Sequence, residues 1–201
     1  SFDVSAGSSR VVLKLMHPAR SAAFIEMQVS ALAHVAASDP GLDAPRVRLN
    51  LEGRPFTRMG IRHSDGATRE RLVWALDYVS GRPLAEVRPR TPGLARELGR
   101  SLGRLTRALE GFRHPAAQRD FPWNLAGASW ARGSLASIAD PPRRLLVERV
   151  LDLHDARVVP ALPRLPRSVI HGDANDYNVI VGARSGSPVS VAVIDYGDLH
   201  H

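Results

Sequence analysis

Arg10 to Met16 (RVVLKLM) is an apolar run broken by one charge, Lys14, and it predicts a buried strand. His17-Pro18 ends that run, and the period then changes. Phe24, Met27, Ala31 and Val35 recur at helical spacing, so Ala19 to Ala37 predicts a helix. Pro40, Gly41 and Pro45 mark a loop. Val47 to Leu51, Phe56 to Arg62 and Arg71 to Val79 predict three strands, with Ser64-Asp65-Gly66 as a hairpin turn between the last two. The first eighty residues thus predict a small α+β lobe: strand, helix, antiparallel meander.

Ser80-Gly81-Arg82-Pro83 has the composition of a linker, and the pattern beyond it is different. Leu94, Leu98, Leu102, Leu105 and Leu109 form one apolar stripe, which predicts a helix over Pro92 to Phe112 with Thr91 as its cap. A loop rich in Pro and Gly carries Trp123-Asn124-Leu125. Pro142 to Val159 predicts another helix, with Leu145, Val147, Val150, Leu151 and Leu153 apolar. Short strands are expected at Ser168 to His171, Asn178 to Val181 and Val189 to Ile194. The reading is two lobes, 1–80 and 81–201, the second mainly helical.

A chain of 201 residues suffices for this, burying roughly 70% of its unfolded surface. No run of 18 apolar residues exists, so no membrane span is expected. The absence of cysteine excludes disulfides and thiolate metal sites and fits a reducing, cytoplasmic setting. The first residues lack both the pattern of a signal peptide and an initiator methionine, so a start further upstream is expected. The net charge of +7 changes the picture less than it suggests. Lys and Arg number 27 and Lys14 is the only lysine, leaving 26 arginines scattered without a dense tract. With aromatics at 5% there is little for bases to stack on, so nucleic acid is not the expected partner.

The chemistry gathers in two stretches. Val169-Ile-His-Gly-Asp-Ala-Asn-Asp-Tyr-Asn-Val-Ile-Val181 and Val191-Ala-Val-Ile-Asp-Tyr-Gly-Asp198 each join an apolar strand to a polar cluster. Rigid strands that end in carboxylates fix charged groups while keeping their own backbone paired. Asp173 and Asn178 share one loop, and a turn at Ser185-Gly186-Ser187-Pro188 would return Asp195 to it. The result is a base-capable carboxylate beside an amide oxygen and a second carboxylate. Hard oxygen donors of this kind suit Mg²⁺, which takes few protein ligands and completes its shell with water and phosphate. His154-Asp155 reads as a surface pair, and His200-His201 as adventitious metal ligands or the start of a tag. Neither a Walker loop nor a Gly-x-Ser-x-Gly elbow is present.

His-Gly-Asp-x4-Asn followed by Ile-Asp-Tyr-Gly-Asp resembles the catalytic loop and metal segment of the aminoglycoside phosphotransferase and choline kinase superfamily, a relative of the protein kinases. His-Gly-Asp-Ala-Asn-Asp-Tyr-Asn, Phe121-Pro-Trp-Asn-Leu125 and Phe24-Ile-Glu-Met-Gln28 are most similar to its hydroxylysine-kinase-like group, which includes domains fused to class III aminotransferases. The resemblance implies a bilobal protein-kinase-like α+β fold, with an antiparallel-sheet N-lobe carrying one helix and a mainly helical C-lobe. It implies ATP or GTP as phosphoryl donor and a hydroxyl of a small, amine-bearing metabolite as acceptor. It assigns Asp173 as catalytic base, His171 as a residue orienting the loop, and Asn178 and Asp195 as Mg²⁺ ligands. Lys14 would hold the α/β-phosphates, paired with Glu26 of the following helix, and the backbone at Asp77 and Val79 would pair with adenine. The resemblance also implies that the first strand and phosphate-covering loop are missing or reduced to Ser1–Gly7, and that helices expected after Asp198 are absent. Two readings stay open: an active kinase, or a non-catalytic, truncated kinase-like domain or module of a larger protein.

Overall fold

In the computed structural model, which describes residues 1–7, 9–119, 121, 123–184 and 187–201, the apolar alternation of the first eighty residues resolves into a five-stranded antiparallel sheet. Phe2–Ala6 (β1) hairpins onto Ser9–Leu15 (β2), which pairs with Thr68–Asp77 (β5). Val47–Arg48 (β3) and Thr57–Arg62 (β4) pair with β5 as well. Residues 2–6, expected to hold at most a remnant of the first strand, therefore form one. Gly7, at φ +59°, supplies the turn, and Asp3 accepts from the guanidinium of Arg10 across it at 3.0 Å. The expected turn at Ser64-Asp65-Gly66 closes with His63 N–H on Ala67 O at 2.8 Å.

Ala22–Ser38 (α1) buries one face, Phe24, Ile25, Met27, Gln28, Ala31, Leu32 and Val35, against the sheet and the second half of the chain. Buried polar Gln28 is satisfied by the Phe24 carbonyl. Pro92–Ala108 (α2) starts where Thr91 Oγ1 accepts from Leu94 N–H at 3.1 Å, a cap worth about 1 kcal/mol. The largest apolar cluster is common to both halves: α1 and β5 contribute to it together with Leu105, Leu109, Phe112, Val169, Val193 and Tyr196. A smaller cluster joins Leu84, Leu94, Val179 and Val191.

Arg82–Pro83 (β6), in the segment read as a linker, pairs with Val179–Arg184 (β7), which hairpins with Ser187–Val193 (β8). Ser185 and Gly186 of the turn expected there lie outside the described residues. Gly81 sits at φ +146°, where a Cβ would come within 2.6 Å of Val181 O, so the crossing requires glycine. Two expectations from the pattern are corrected. Ser168 to His171 forms no strand, only the single bridge Ile170–His200, because its partner chain runs past it for one residue. The helix expected to Val159 ends as Pro141–Leu153 (α3) and continues as one wider turn over His154–Val158. Its apolar stripe is largely exposed, since among the described residues α3 packs mainly on the short helical turns Leu125–Ser137 and on that wider turn. Only Leu151 of the stripe is buried.

Candidate active site

β2 and β5 run antiparallel with Lys14 opposite Trp74, so the one lysine of the chain projects from the middle of a fully paired strand. Its side chain is partly buried and reaches into a cleft of about 230 Å³. Val12, Leu76, Ile180 and Ile194 give this cleft apolar walls, and Lys14 and Asp195 also line it. Asp77 and Val79, the residues whose backbone is expected to pair with adenine, line the cleft too. The Asp77 N–H is already donated to Arg46 O at 2.8 Å, so only its carbonyl is left for a ligand. Its carboxylate accepts from Arg48.

Lys14 Nζ lies 2.9 Å from Asp195 Oδ1. The pairing with Glu26 expected from the sequence is not what the fold makes. Phe24, Ile25, Met27 and Gln28 take the buried face of α1, which turns the intervening Glu26 to the outside with Ala23 and Ser30. There Glu26 borders a separate surface hollow with Asn50, Arg54 and Arg58, away from the lysine.

Asp195 follows directly on β8 and adopts φ 63°, ψ 76°, a left-handed conformation that costs a non-glycine residue on the order of 1–2 kcal/mol. Its Oδ1 also accepts from Gly197 N–H at 3.3 Å. Partial desolvation at the cleft mouth, where half of its side chain stays exposed, pushes the carboxyl pKa up. The ammonium of Lys14, by charge and by hydrogen bond, outweighs that and holds the group below the ordinary carboxylate value. Asp195 is therefore an anion at neutral pH, presented to the cleft by a strained backbone.

The 171–178 loop is fastened to the same place. His171 is buried, with Nε2 3.1 Å from Ile194 O and Nδ1 accepting from Asp173 N–H at 3.3 Å. These partners require the neutral ring with its proton on Nε2. Burial depresses the imidazole pKa and favours the same form. The ring stands edge-on to Tyr196 at 5.0 Å. Gly172, at φ +80°, lies where a Cβ would meet Asp198 O at 2.5 Å, so the turn admits no other residue without movement.

Asp173 itself is held by two amides: Asn175 Nδ2 donates to Oδ1 at 2.8 Å and Asn178 Nδ2 to Oδ2 at 2.7 Å. Asn178 Nδ2 also donates to Asp173 O at 2.9 Å, which leaves its own Oδ1 as an acceptor. Ile194 N–H donates to Asn178 O at 2.8 Å, so Asn178 stands opposite the neighbour of Asp195. Among the described residues no group of three His, Cys, Asp or Glu is placed to hold a metal. A carboxylate and an amide oxygen on adjacent backbone fit an ion such as Mg²⁺, which draws most of its shell from water and phosphate.

Sequence reasoning missed what holds this arrangement from behind. Arg119 donates to Gly197 O and Leu199 O, and Ser101 Oγ donates to Val191 O from inside α2. Neither belongs to a motif; an arginine among 26 and a helix serine carry no periodic signal. His200, read as adventitious, is buried and bridges to Ile170, with Nδ1 2.8 Å from Asp198 O. His154 and Asp155 tie α3 to the preceding turns through Leu125 O, Ser129 and Arg132.

No helix among the described residues is long and apolar enough to cross a membrane. Among curated proteins, hydroxylysine kinase of Bos taurus is 31% identical over 147 residues, covering 69% of this chain and 39% of its own length. Hydroxylysine kinase of Xenopus laevis is 25% identical across 96% of this chain and 54% of its own. The chain thus spans about half or less of the length of these relatives. Two solved structures share the fold: a microcompartment-associated aminopropanol kinase (TM-score 0.67, 20% identity, 98% of this chain and 60% of that one) and a spectinomycin phosphotransferase in complex with ADP and spectinomycin (TM-score 0.60, 13% identity, 98% and 59%). The sequence model of the phosphotransferase enzyme family matches residues 1–201 from end to end, and the chain is a member of that family.

Proposed function

We propose that this chain supplies the nucleotide cleft and reacting groups of a kinase that moves the γ-phosphoryl of ATP, or GTP, to a hydroxyl of a small amine-bearing metabolite. The observation that carries this reading is the Lys14–Asp195 pair at 2.9 Å in an apolar-walled cleft, with Asp173 and Asn178 on the adjoining loop. Val12, Leu76 and Ile180 suit the faces of a purine, and the Asp77 carbonyl and Val79 backbone suit its edge. Lys14, once turned from Asp195, would cradle the α/β-phosphates. Asn178 and Asp195 would hold Mg²⁺, which when bound offsets the negative charge of the phosphates.

Asp173 would take the proton of the acceptor hydroxyl as its oxygen bonds to phosphorus and the nucleoside diphosphate departs. Its two amide donors hold the carboxylate in one orientation without neutralising it. His171, neutral and bonded on both nitrogens, orients the loop and is unsuited to be the base. The hydroxylysine kinase relatives support a hydroxylated amine as acceptor, and a chain without cysteine suits the cytoplasm, where such nucleotides are found.

Solvent-facing Glu26, which leaves Lys14 without the helix carboxylate expected for it, favours a second reading, a domain that keeps the fold without transferring phosphate. One experiment separates the two: thermal shift with ATP and Mg²⁺, followed by ADP release over a panel of hydroxylated amines. Acceptor-dependent release is expected. Stabilisation by nucleotide with no release on any acceptor would establish the second reading, and neither response would remove both.

A further inference from the structure

We infer that Arg119 is a positioning residue that locks the segment behind Asp195 and so sets its metal affinity, an inference that rests on the kinase reading above. Its NH2 donates to Gly197 O at 3.0 Å and to Leu199 O at 3.4 Å, and lies 3.7 Å from Asp198 Oδ1. The guanidinium stacks between two rings, 4.6 Å from the centroid of Phe121 and 5.4 Å from that of Phe24 in α1. This is a costly place for a cation. Its Nε is buried with no hydrogen-bond partner among the described residues, and such an atom calls for a compensating role.

Gly197 shows what the role is. Its N–H holds Asp195 Oδ1 at 3.3 Å while its carbonyl is held by Arg119, so both ends of the freest backbone link in the segment are fixed. A left-handed Asp195 persists only where its surroundings over-determine it. Arg119 also steadies the other half of the site, because the Asp198 carbonyl and the His200 ring that pack on Gly172 belong to the segment it clamps. Of the residues in this clamp only Asp195 lines the cleft, while Val12, Leu76 and Ile180, which would take the nucleoside, lie outside it, so metal and nucleoside affinities should separate.

The test uses the full-length polypeptide that carries this chain, with Mn²⁺ as the probe, titrated by electron paramagnetic resonance at saturating ADP. ADP affinity without metal is measured alongside. Arg119→Met keeps bulk and apolar contact but removes the donors. It should weaken Mn²⁺ about tenfold, the loss of one charge-assisted hydrogen bond, and leave metal-free ADP affinity within about twofold. Arg119→Lys, keeping the charge and a single donor nitrogen, should lose about threefold. A residue that merely holds the fold would lower the melting temperature of both variants and leave Mn²⁺ affinity at the wild-type value, and that result overturns the inference. Should Arg119→Met not fold, Arg119→Lys decides by the same criterion. A wild-type protein that binds ADP but takes up no Mn²⁺ would instead overturn Asp195 as a metal ligand, and the role of Arg119 with it.

Discussion

The cleft side of the molecule and the stretch from Trp123 to Leu165 are built to different standards. On the first, Ile25, Met27, Leu109 and Leu199 have no exposed surface, and His171, Asp173, Asn178 and Asp195 each hold named partners. On the second, Trp123, Leu125 and Leu146 are 72%, 81% and 63% exposed, and α3 buries one residue of its apolar stripe. The candidate site sits at the edge of this packing, where strand ends and hydrogen bonds fix its partly exposed groups before a substrate would arrive. The second region is held by polar ties such as Arg132 to Asp152 and Asp155, which water can replace at little cost. The contrast ranks the substitutions.

The largest effect should come from Asp173→Asn in the full-length protein. It keeps shape and removes the charge that accepts the proton, so phosphoryl transfer should fall by ~10²–10⁴ while circular dichroism and nucleotide affinity stay put. Turnover at the wild-type rate would take the base assignment away from Asp173. Next in size is Leu109→Ala, where a side chain with no exposed surface leaves a cavity in the core shared by both halves of the chain. Denaturant unfolding should register a loss of about 2–5 kcal/mol. A loss below about 1 kcal/mol would mean that the core is less continuous than its contacts indicate.

His171 sharpens the comparison through pH. Burial lowers its pKa in the folded chain below the ordinary 6.5, so the unfolded chain binds the extra proton more readily. Stability rises with pH wherever the unfolded state holds more protons. The contribution is therefore fully present above pH 6.5 and is lost as pH falls below it toward the depressed folded value. His171→Asn should flatten the stability profile in that window while lowering it overall through the lost bonds to Ile194 and Asp173. An unchanged slope would mean that other groups carry the acid sensitivity.

The candidate site was legible in the sequence where residue type and placement coincide. His171, Asp173, Asn178 and Asp195 stand out because strand-borne polar clusters at such spacing have few other uses, and Lys14 because lysine occurs nowhere else. The fold followed from periodicity in α1, α2 and the β4–β5 hairpin, where one face is wholly buried. It failed at Glu26, because helical period shows that a residue leaves the core but not which neighbour meets the cleft. Single pairs decide that, and Asp195 lies 181 positions from Lys14. Arg119 was out of reach for the same reason, since its worth comes from carbonyls to which any residue type contributes equally. The stripe of α3 misled in the opposite direction: amphipathic spacing predicts a helix, and burial requires a partner that the pattern does not name.

Leu146→Glu tests the exposed side and should be the smallest change of all. Leu146 stands 63% exposed on α3, so little apolar surface returns to water on its removal. The helix tolerates glutamate nearly as well as leucine, with a propensity difference of a few tenths of a kcal/mol. Arg143 and Arg149, three residues away on either side, offer the new carboxylate favourable neighbours along the helix. The expected shift in unfolding free energy is within about 0.5 kcal/mol in this chain, against several for Leu109→Ala. Affinity for nucleotide should not move. What should change is behaviour at high concentration, because a carboxylate among Leu145, Val150 and Leu153 breaks up an apolar surface that favours association. Light scattering of the two proteins at matched concentrations measures this. Unfolding data that show a loss of about 2 kcal/mol or more would mean that Leu146 is packed in solution, and the division between the two regions would then fail at α3.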